Sequence, residues 1–258
     1  MVTAYFQRLS PDRFRATPAV QGAWNTEEQH IGPALGLLTH SVETDRNSRR
    51  DDQLDLTRLS FDILGTVPID EVEIDVQVLR PGRSIELVGA TLSHRNRIVV
   101  ILRAWLQRPG DTASIAGTTL PQIPPPDQLE PWDGNEIWPG EFVRTVDARR
   151  REISPGRAHY WLRPRLPLLD HEPLSTTVAA LSILDIANGV TPRVPPDTVA
   201  FPNLDTTVHL FEQPRSDWIG YDTTVTFGTN GVGLTHTVLH DTHGPIGTAE
   251  QILTIRPR

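Results

Sequence analysis

The chain contains no cysteine. A disulfide scaffold, a thiolate nucleophile and any zinc site with sulfur ligands are therefore excluded. No apolar run approaches the ~18 residues that would cross a bilayer. The opening MVTAYFQRLSPDRFRAT also lacks the apolar core of a secretory leader. A protein without a membrane span, located in the cytoplasm, is the expectation. Positive charge is in short supply too: 24 basic against 32 acidic residues leave a net charge of −8, which speaks against a nucleic-acid partner. There is no Gly-x-Ser-x-Gly elbow, so a serine hydrolase is disfavoured. The glycines between Gly228 and Gly233 read as a hairpin, not as a strand-to-helix phosphate loop.

What is present describes a globular protein. With 38% hydrophobic and 22% charged residues over 258 positions, the chain is long for one core and comfortable for two modules. Its organising stretch is Leu174 to Val190, LSTTVAALSILDIANGV. Ser175 suits an N-cap, apolar residues follow at helical spacing, and Gly189 with Pro192 supplies a stop. The expectation is one long helix, apolar nearly all round and hence buried. Asp185 sits inside it. A buried carboxyl is costly unless paired or used, so Asp185, with Asn188 one turn later, is the first candidate site; a solvent-facing Asp185 is the competing reading.

Along the chain, Tyr5 to Trp24 reads as an edge strand plus loop. Asn25, Thr26 and Glu28 resemble a capping box, and Ile31, Leu35, Leu38 and Val42 recur at helical spacing up to Asp45. Gly32 and Pro33 are unusual within such a helix. They suit either a late helix start or close backbone approach to a ligand, which makes the neighbouring His30 a candidate substrate contact. After the polar run Asn47 to Gln53 the period changes to two: Leu59, Phe61 and Ile63, then Val72, Ile74, Val76 and Val78. Pro81-Gly82 and His94-Arg95-Asn96 turn the chain into Ile85 to Ala90 and Ile98 to Leu106. Pro121, Pro124, Pro125, Pro126, Pro131 and Pro139 mark a linker over 117–140, with Trp132 and Trp138 suggesting that it packs across a surface. Phe142 to Ile153, Tyr160 to Arg163, Asn203 to Leu210, Ile219 to Phe227, Leu234 to His240 and Ile246 to Ile255 read as strands. Thr229-Asn230-Gly231 makes the hairpin between two of them.

The order of elements is the same in both halves, implying a duplication of roughly 110–120 residues per copy. The modules are 1–116 and 141–258, on either side of the linker. One helix wrapped by an antiparallel meander, twice over, describes an α+β double hotdog.

The chain resembles the thioesterase-like superfamily of double-hotdog proteins that includes type II acyl-CoA thioesterases. Two segments carry the likeness: VEIDVQVLRPGRSIELVGATLSHRNRIVVILRAWLQ over Val72 to Gln107, and LDIANG, NLDTTVHL and GPIGTAEQILTIR in succession between Trp161 and Arg256. The resemblance implies hydrolysis of an acyl-CoA to free acid and coenzyme A, a place in lipid metabolism and no cofactor. The partner it implies is the acyl-CoA substrate, with a homodimer of double hotdogs as the conceivable assembly. It also implies a water-positioning set of Asp185, Asn203 and Gln251. Relatives carry Thr at the second position, so Thr206 or Thr207 is an alternative source of the hydroxyl. No equivalent acid is evident on the first helix, so one working site per chain is expected.

The residue types suit that chemistry on their own terms. A thioester carbonyl is already electrophilic, so hydrolysis needs a carboxylate to activate water and donors for the oxyanion. Taken singly, Gln251 reads equally as an exposed strand residue and Asn203 as a strand-entry residue. Two rival functions stay open. A non-hydrolytic acyl-CoA-binding hotdog protein would keep the fold without turnover, and an enoyl-CoA hydratase would want a His paired with the Asp, which LDIANG lacks. His236, His240 and His243 lie close together without a further ligand at metal-binding spacing, so no metal is expected. Asp170-His171-Glu172 reads as a solvated turn. Arg149 to Arg151, Arg163 and Arg165 read either as solvated or as contacts for coenzyme A phosphates.

Overall fold

A computed structural model describes residues 2–258. The first half contains β1 (Phe6–Arg8), β2 (Arg13–Ala16), α1 (Ile31–Arg49), β3 (Asp55–Ile63), β4 (Glu71–Arg80), β5 (Ile85–His94) and β6 (Arg97–Gln107). The second contains β7 (Glu130–Pro131), α2 (Glu141–Arg144), β8 (Val146–Ser154), β9 (Arg157–Pro164), α3 (Thr176–Ser182), α4 (Ala187–Val190), β10 (Val199–Ala200), β11 (Asp205–Leu210), β12 (Ile219–Phe227), β13 (Val232–Asp241), β14 (Gly244–Thr254) and β15 (Arg256–Pro257). Thirteen strands form one sheet in the order β1-β2-β4-β5-β6-β3-β11-β14-β13-β12-β9-β8-β7, while β10 and β15 form a separate ribbon.

That order is nearly palindromic. Each half follows its helix with the sequence strand, long strand, hairpin, strand, and the halves meet where β3 pairs antiparallel with β11. At the seam Ser60 Oγ lies 3.2 Å from Thr207 Oγ1, which puts a pseudo-twofold axis there. The double hotdog expected from the repeated order is the architecture observed. A single apolar core runs through both halves, joining Leu38 and Phe61 to Val208 and Leu239. Period-two patterning accounts for the strands: in β14, Ala249, Gln251 and Leu253 turn inward while Ile252 is exposed.

The two helices run antiparallel inside the sheet. Gly36 meets Ser182 at one end and Glu43 meets Ser175 at the other, with Ser175 Oγ donating to Glu43 Oε1 at 3.0 Å. A Cβ on Gly36 would lie 2.7 Å from Ser182 Cβ and 2.9 Å from its Cα, and one on Gly32 would lie 2.8 Å from Ser182 O. Glycine at both positions lets α1 pass backbone-close over α3. The close approach suspected at Gly32 is thus to another helix.

Three expectations need correction. The helix expected over Leu174 to Val190 is broken: α3 ends at Ser182, Leu184–Ile186 is a 3₁₀ turn, and α4 resumes at Ala187. Ser182 Oγ donates back to Ala179 O at 2.7 Å, and such back-bonding competes with the helical ladder. The end of α4 is satisfied by side chains from elsewhere, Tyr160 Oη donating to Ala187 O and Trp138 Nε1 to Gly189 O. Secondly, α1 starts at Ile31, not at the Asn25 capping box. His30 is its N-cap, accepting from Gly32 N through Nδ1, and Pro33 falls in the first turn, where its missing N–H costs nothing. Asn25 caps only a turn, through Glu27 N. Thirdly, Phe142 opens no strand: it lies in α2, and the strand begins at Val146. The proline-rich stretch contributes β7 to the sheet edge and buries Trp138 beside Val143, Phe201 and Leu253.

Gly36→Ala is expected to destabilise the protein by about 1–3 kcal/mol through overpacking, outweighing the roughly 1 kcal/mol that alanine gains in a helix. Gly110→Ala, with nothing within 4 Å, should be neutral. Denaturant midpoints of the two variants test the crossing.

Candidate active site

The break between α3 and α4 fixes the direction of Asp185. Instead of continuing round a regular helix, the 3₁₀ turn aims its carboxyl at the N-terminal end of α1 and at β11 and β14. Asp185 is 6% exposed, which removes the solvent-facing reading. Asn203, bridged to Leu253 at the entry to β11, donates from Nδ2 to Asp185 Oδ1 at 2.6 Å. Gln251 on β14 donates from Nε2 to the same oxygen at 3.0 Å, and Thr206 Oγ1 lies 3.4 Å from it. Three donors therefore converge on Oδ1. Oδ2 has no protein hydrogen-bond donor among the described residues; His30 Nδ1 lies 3.9 Å from it.

Gln251 and Thr206 are both buried, so Gln251 is not an exposed strand residue. Turning Gln251 Nε2 toward Asp185 leaves its Oε1 buried without a partner, a cost of the kind usually found where geometry matters more than stability. Thr207 instead pairs with Ser60 at the seam. Asn188 donates weakly, at 3.4 Å, to Phe201 O.

A cavity of about 560 Å³ opens onto this cluster. Its deep wall is made by His30, Asp185, Ile186, Asn188 and Val67; Trp24, Leu64, Leu204, Arg256 and Arg258 are its exposed rim. The walls are mostly apolar. Asp185, Asn203, Asn188 and His30 line the cavity, whereas Gln251 and Thr206 stand behind Asp185. The sequence reading missed Trp24 and Trp138, which pack edge to face at 4.8 Å on one wall, and the two rim arginines. Arg256 opens β15 and Arg258 follows directly after it, two apart on extended backbone, so they share a face, a signal that was legible.

Burial dominates the electrostatics. It pushes the Asp185 carboxyl up from 3.8 to about 7, against the opposing pull of the hydrogen bonds from Asn203, Gln251 and Thr206. Burial pushes His30 down to about 3, so the imidazole is neutral and its 3.9 Å approach to Asp185 is not an ion pair. With Nδ1 accepting from Gly32 N at 3.2 Å, the ring proton sits on Nε2. His30 also stacks on Phe142, centroids 4.3 Å apart.

The other charged clusters are engaged elsewhere. Arg163 and Arg165 bind Asp147, Arg150 binds Glu152, and Arg149 and Arg151 donate to the carbonyls of Leu129 and Gln128; none of the five lines this cavity. Glu172 is not merely solvated but holds Arg8 at 2.6 Å and His40 at 3.2 Å. His236 contacts Glu250, and His240 contacts the carbonyls of Pro121 and Val238. At the opposite end of the helix pair lies the pseudo-twofold counterpart of the cavity. Glu43 is its helix acid, raised in pKa by burial, and Arg8, Glu172, Arg46 and Asp55 charge its walls. An acid is therefore present on the first helix, but its surroundings are unlike the apolar chamber around Asp185.

Both halves match families of known sequence. Residues 20–107 match the acyl-CoA thioesterase N-terminal domain and residues 121–255 the acyl-CoA thioesterase C-terminal domain. No curated protein matches the sequence. In structure the chain is similar to a protein of unknown function with a hot dog fold from Alicyclobacillus acidocaldarius (TM-score 0.76, 13% identity, 96% of this chain and 95% of that one). It is similar also to an acyl-CoA thioesterase II from Mycobacterium marinum (TM-score 0.68, 17% identity, 98% and 96%). A 12:0-ACP thioesterase from Umbellularia californica is more distant (TM-score 0.55, 11% identity, 95% and 93%). With the two domain patterns matched in order, the second alone over residues 121–255, the chain belongs to the acyl-CoA thioesterase family and is a thioester hydrolase.

Proposed function

We propose that the acyl thioester is hydrolysed in the cavity beside Asp185, by a water that this carboxylate deprotonates. The observation that carries the reading is the division of labour between the two carboxyl oxygens. Three donors hold Oδ1, Oδ2 takes no hydrogen bond among the described residues, and Asp185 lines the cavity. A water on Oδ2 gives its proton to the carboxylate as its oxygen attacks the thioester carbon. The negative charge then develops on the former carbonyl oxygen. The N-terminal end of α1, whose dipole favours negative charge, borders the same cavity through His30 and Ile31. Collapse of the tetrahedral intermediate breaks the C–S bond, and the departing thiolate takes the proton back from Asp185.

On this reading Asp185 is the general base. Asn203 lines the chamber and holds the base. Gln251 and Thr206 act through Asp185 and are positioning residues. Asn at position 203 therefore fits the role that a hydroxyl residue fills in relatives, since its Nδ2 donates to Oδ1 at 2.6 Å. The apolar walls would take the acyl chain, with Asn188 and His30 near the thioester.

A second reading has one observation in its favour. Hydration of an enoyl thioester wants an acid-base pair, and His30 approaches Asp185 from the other helix. Crotonyl-CoA in the assay separates the two, since 3-hydroxyacyl-CoA would form without release of thiol.

Three outcomes are expected. Asp185→Asn should lower kcat for thiol release by ~10²–10⁴, the usual contribution of a general base. Full activity in that variant would remove Asp185 from the mechanism, and binding without turnover of any acyl-CoA by the wild type would remove the hydrolytic reading. The wild-type kcat/KM should rise with pH along a limb centred near pH 7, because the base must be ionised and its pKa is raised to about 7. Stability should run the other way. A carboxyl whose pKa is higher folded than unfolded stabilises the fold fully below pH ~4 and loses that contribution as pH rises through about 7. Asp185→Asn should thus gain in stability relative to wild type as pH is raised from about 5 to 8, by roughly 2–3 kcal/mol for the two pH units between 5 and the raised pKa of about 7.

A further inference from the structure

We infer that Arg256 and Arg258, with Trp24, form the subsite that holds the phosphorylated nucleotide of coenzyme A at the mouth of the cavity. This rests on the reading that the thioester is cleaved beside Asp185. The chain has no lysine, so all 24 of its basic residues are arginines, and most of those near the cavity's own half are committed to carboxylates or carbonyls. Arg256 and Arg258 are different. Both are exposed, both line the rim, and neither has a carboxylate within the 4.0 Å ion-pair distance among the described residues.

Their placement is built rather than accidental. β15 pairs with β10 through Ala200↔Arg256 and Val199↔Pro257, and Arg258 N donates to Thr198 O at 2.9 Å. Pairing keeps the backbone extended, and the period of two sends side chains 256 and 258 to the same face. The Arg258 guanidinium lies 5.5 Å above the Trp24 ring. Trp24 is itself fixed edge to face on Trp138 and Phe201, yet 37% of its surface remains open. Across the same rim the Arg97 guanidinium rests against Gly65. The half-buried Glu28 also belongs to the lining.

An acyl-CoA carries its charge far from the bond that breaks. The pantetheine arm separates an apolar acyl thioester, which suits the chamber, from a phosphoadenosine diphosphate, which an apolar chamber would reject. In a chain of net charge −8 the approach of that polyanion needs a local positive rim. Two guanidiniums supply paired donors that match phosphate oxygens, and an exposed indole offers a face to adenine. The arrangement also separates coenzyme A thioesters from those on a carrier protein, whose pantetheine arm ends in a single phosphate on a serine.

The test uses the full chain with Arg256→Gln and Arg258→Gln together, assayed on one acyl group carried by coenzyme A and by N-acetylcysteamine, which has no phosphate. The expected result is a rise in KM for the acyl-CoA of about tenfold at unchanged kcat, with the N-acetylcysteamine thioester hydrolysed as by wild type. In parallel, 3′-phosphoadenosine 5′-diphosphate should bind Asp185→Asn in calorimetry, more weakly as salt is raised, and should lose about tenfold in affinity when both arginines are also replaced. Equal losses on both thioesters, or unchanged KM and nucleotide affinity, would overturn the subsite. The hydrolytic reading fails separately, if Asp185→Asn turns over as fast as wild type.

Discussion

The crossing of α1 over α3 is the constraint on which the site depends. Glycine at 32 and 36 lets the two backbones close on Ser182, and this closeness brings the N-terminal end of α1 to within one side chain of Asp185. A bulkier residue there would push the helices apart. His30 would then lose its place beside the carboxyl, and the cavity wall made by the two modules would open. Packing chosen for the core therefore sets the geometry of the chemistry, because a close-packed interior transmits a shift of an ångström without absorbing it. The pseudo-twofold makes the same contact once for each half. The β3–β11 seam keeps both copies in register.

Asp185 is held by two opposing influences. Burial raises its pKa, and the amides and hydroxyl on Oδ1 lower it. Were burial unopposed, the carboxyl would stay protonated and could not accept a proton at neutral pH. Were the donors as numerous as on a surface carboxylate, it would be a weak base. A value near 7 is the compromise that suits proton transfer at neutral pH. The structure also shows costs of the arrangement: an unpartnered Gln251 Oε1, a helix interrupted at Ile183 and an ionisable group in the core. Costs of this kind tend to gather at functional sites.

Much of this was legible in the residues. The alternation of Val72, Ile74, Val76 and Val78, and again from Ile219 to Phe227, identifies strands because one face of each is buried and the other is not. Repetition of the element order identifies the two halves. Ser175 reads correctly as a cap. What was not legible is non-local. The break after Ser182 goes with a side-chain hydrogen bond from Ser182, and the short helix that follows it is partnered by Tyr160 and Trp138, far away in sequence. The approach of His30 to Asp185, 3.9 Å apart, joins residues from different modules, which is why LDIANG by itself shows no histidine neighbour. Gln251 and Asn203 each fitted a bland local reading, and their convergence on one oxygen came from the family resemblance, not from their spacing. The capping box at Asn25 failed for the opposite reason: the local pattern was satisfied by a turn, while tertiary contact at Gly32 and Gly36 decided where the helix could begin.

The two pseudo-equivalent cavities show how a duplicated fold can keep one chemistry. At each, the end of one helix meets a carboxylate near the end of the other: Asp185 in one case and Glu43 in the other. Burial raises both carboxyls, so a perturbed acid alone does not distinguish them. The surroundings do. Around Asp185 the walls are mostly apolar, two amides and a hydroxyl hold one oxygen, and the arginines among the described lining residues stand at the rim. Around Glu43, Arg8 and Glu172 pair across the wall with His40, and an apolar chain entering there would have to strip those charges of water or of each other, at a cost of several kcal/mol. On the proposed reading the walls sort an acyl thioester between two similar frames, accepting or rejecting its chain, before either carboxylate can activate a water. Duplication supplied the frame twice, and on that reading the apolar lining at one copy couples a raised carboxyl to this class of substrate.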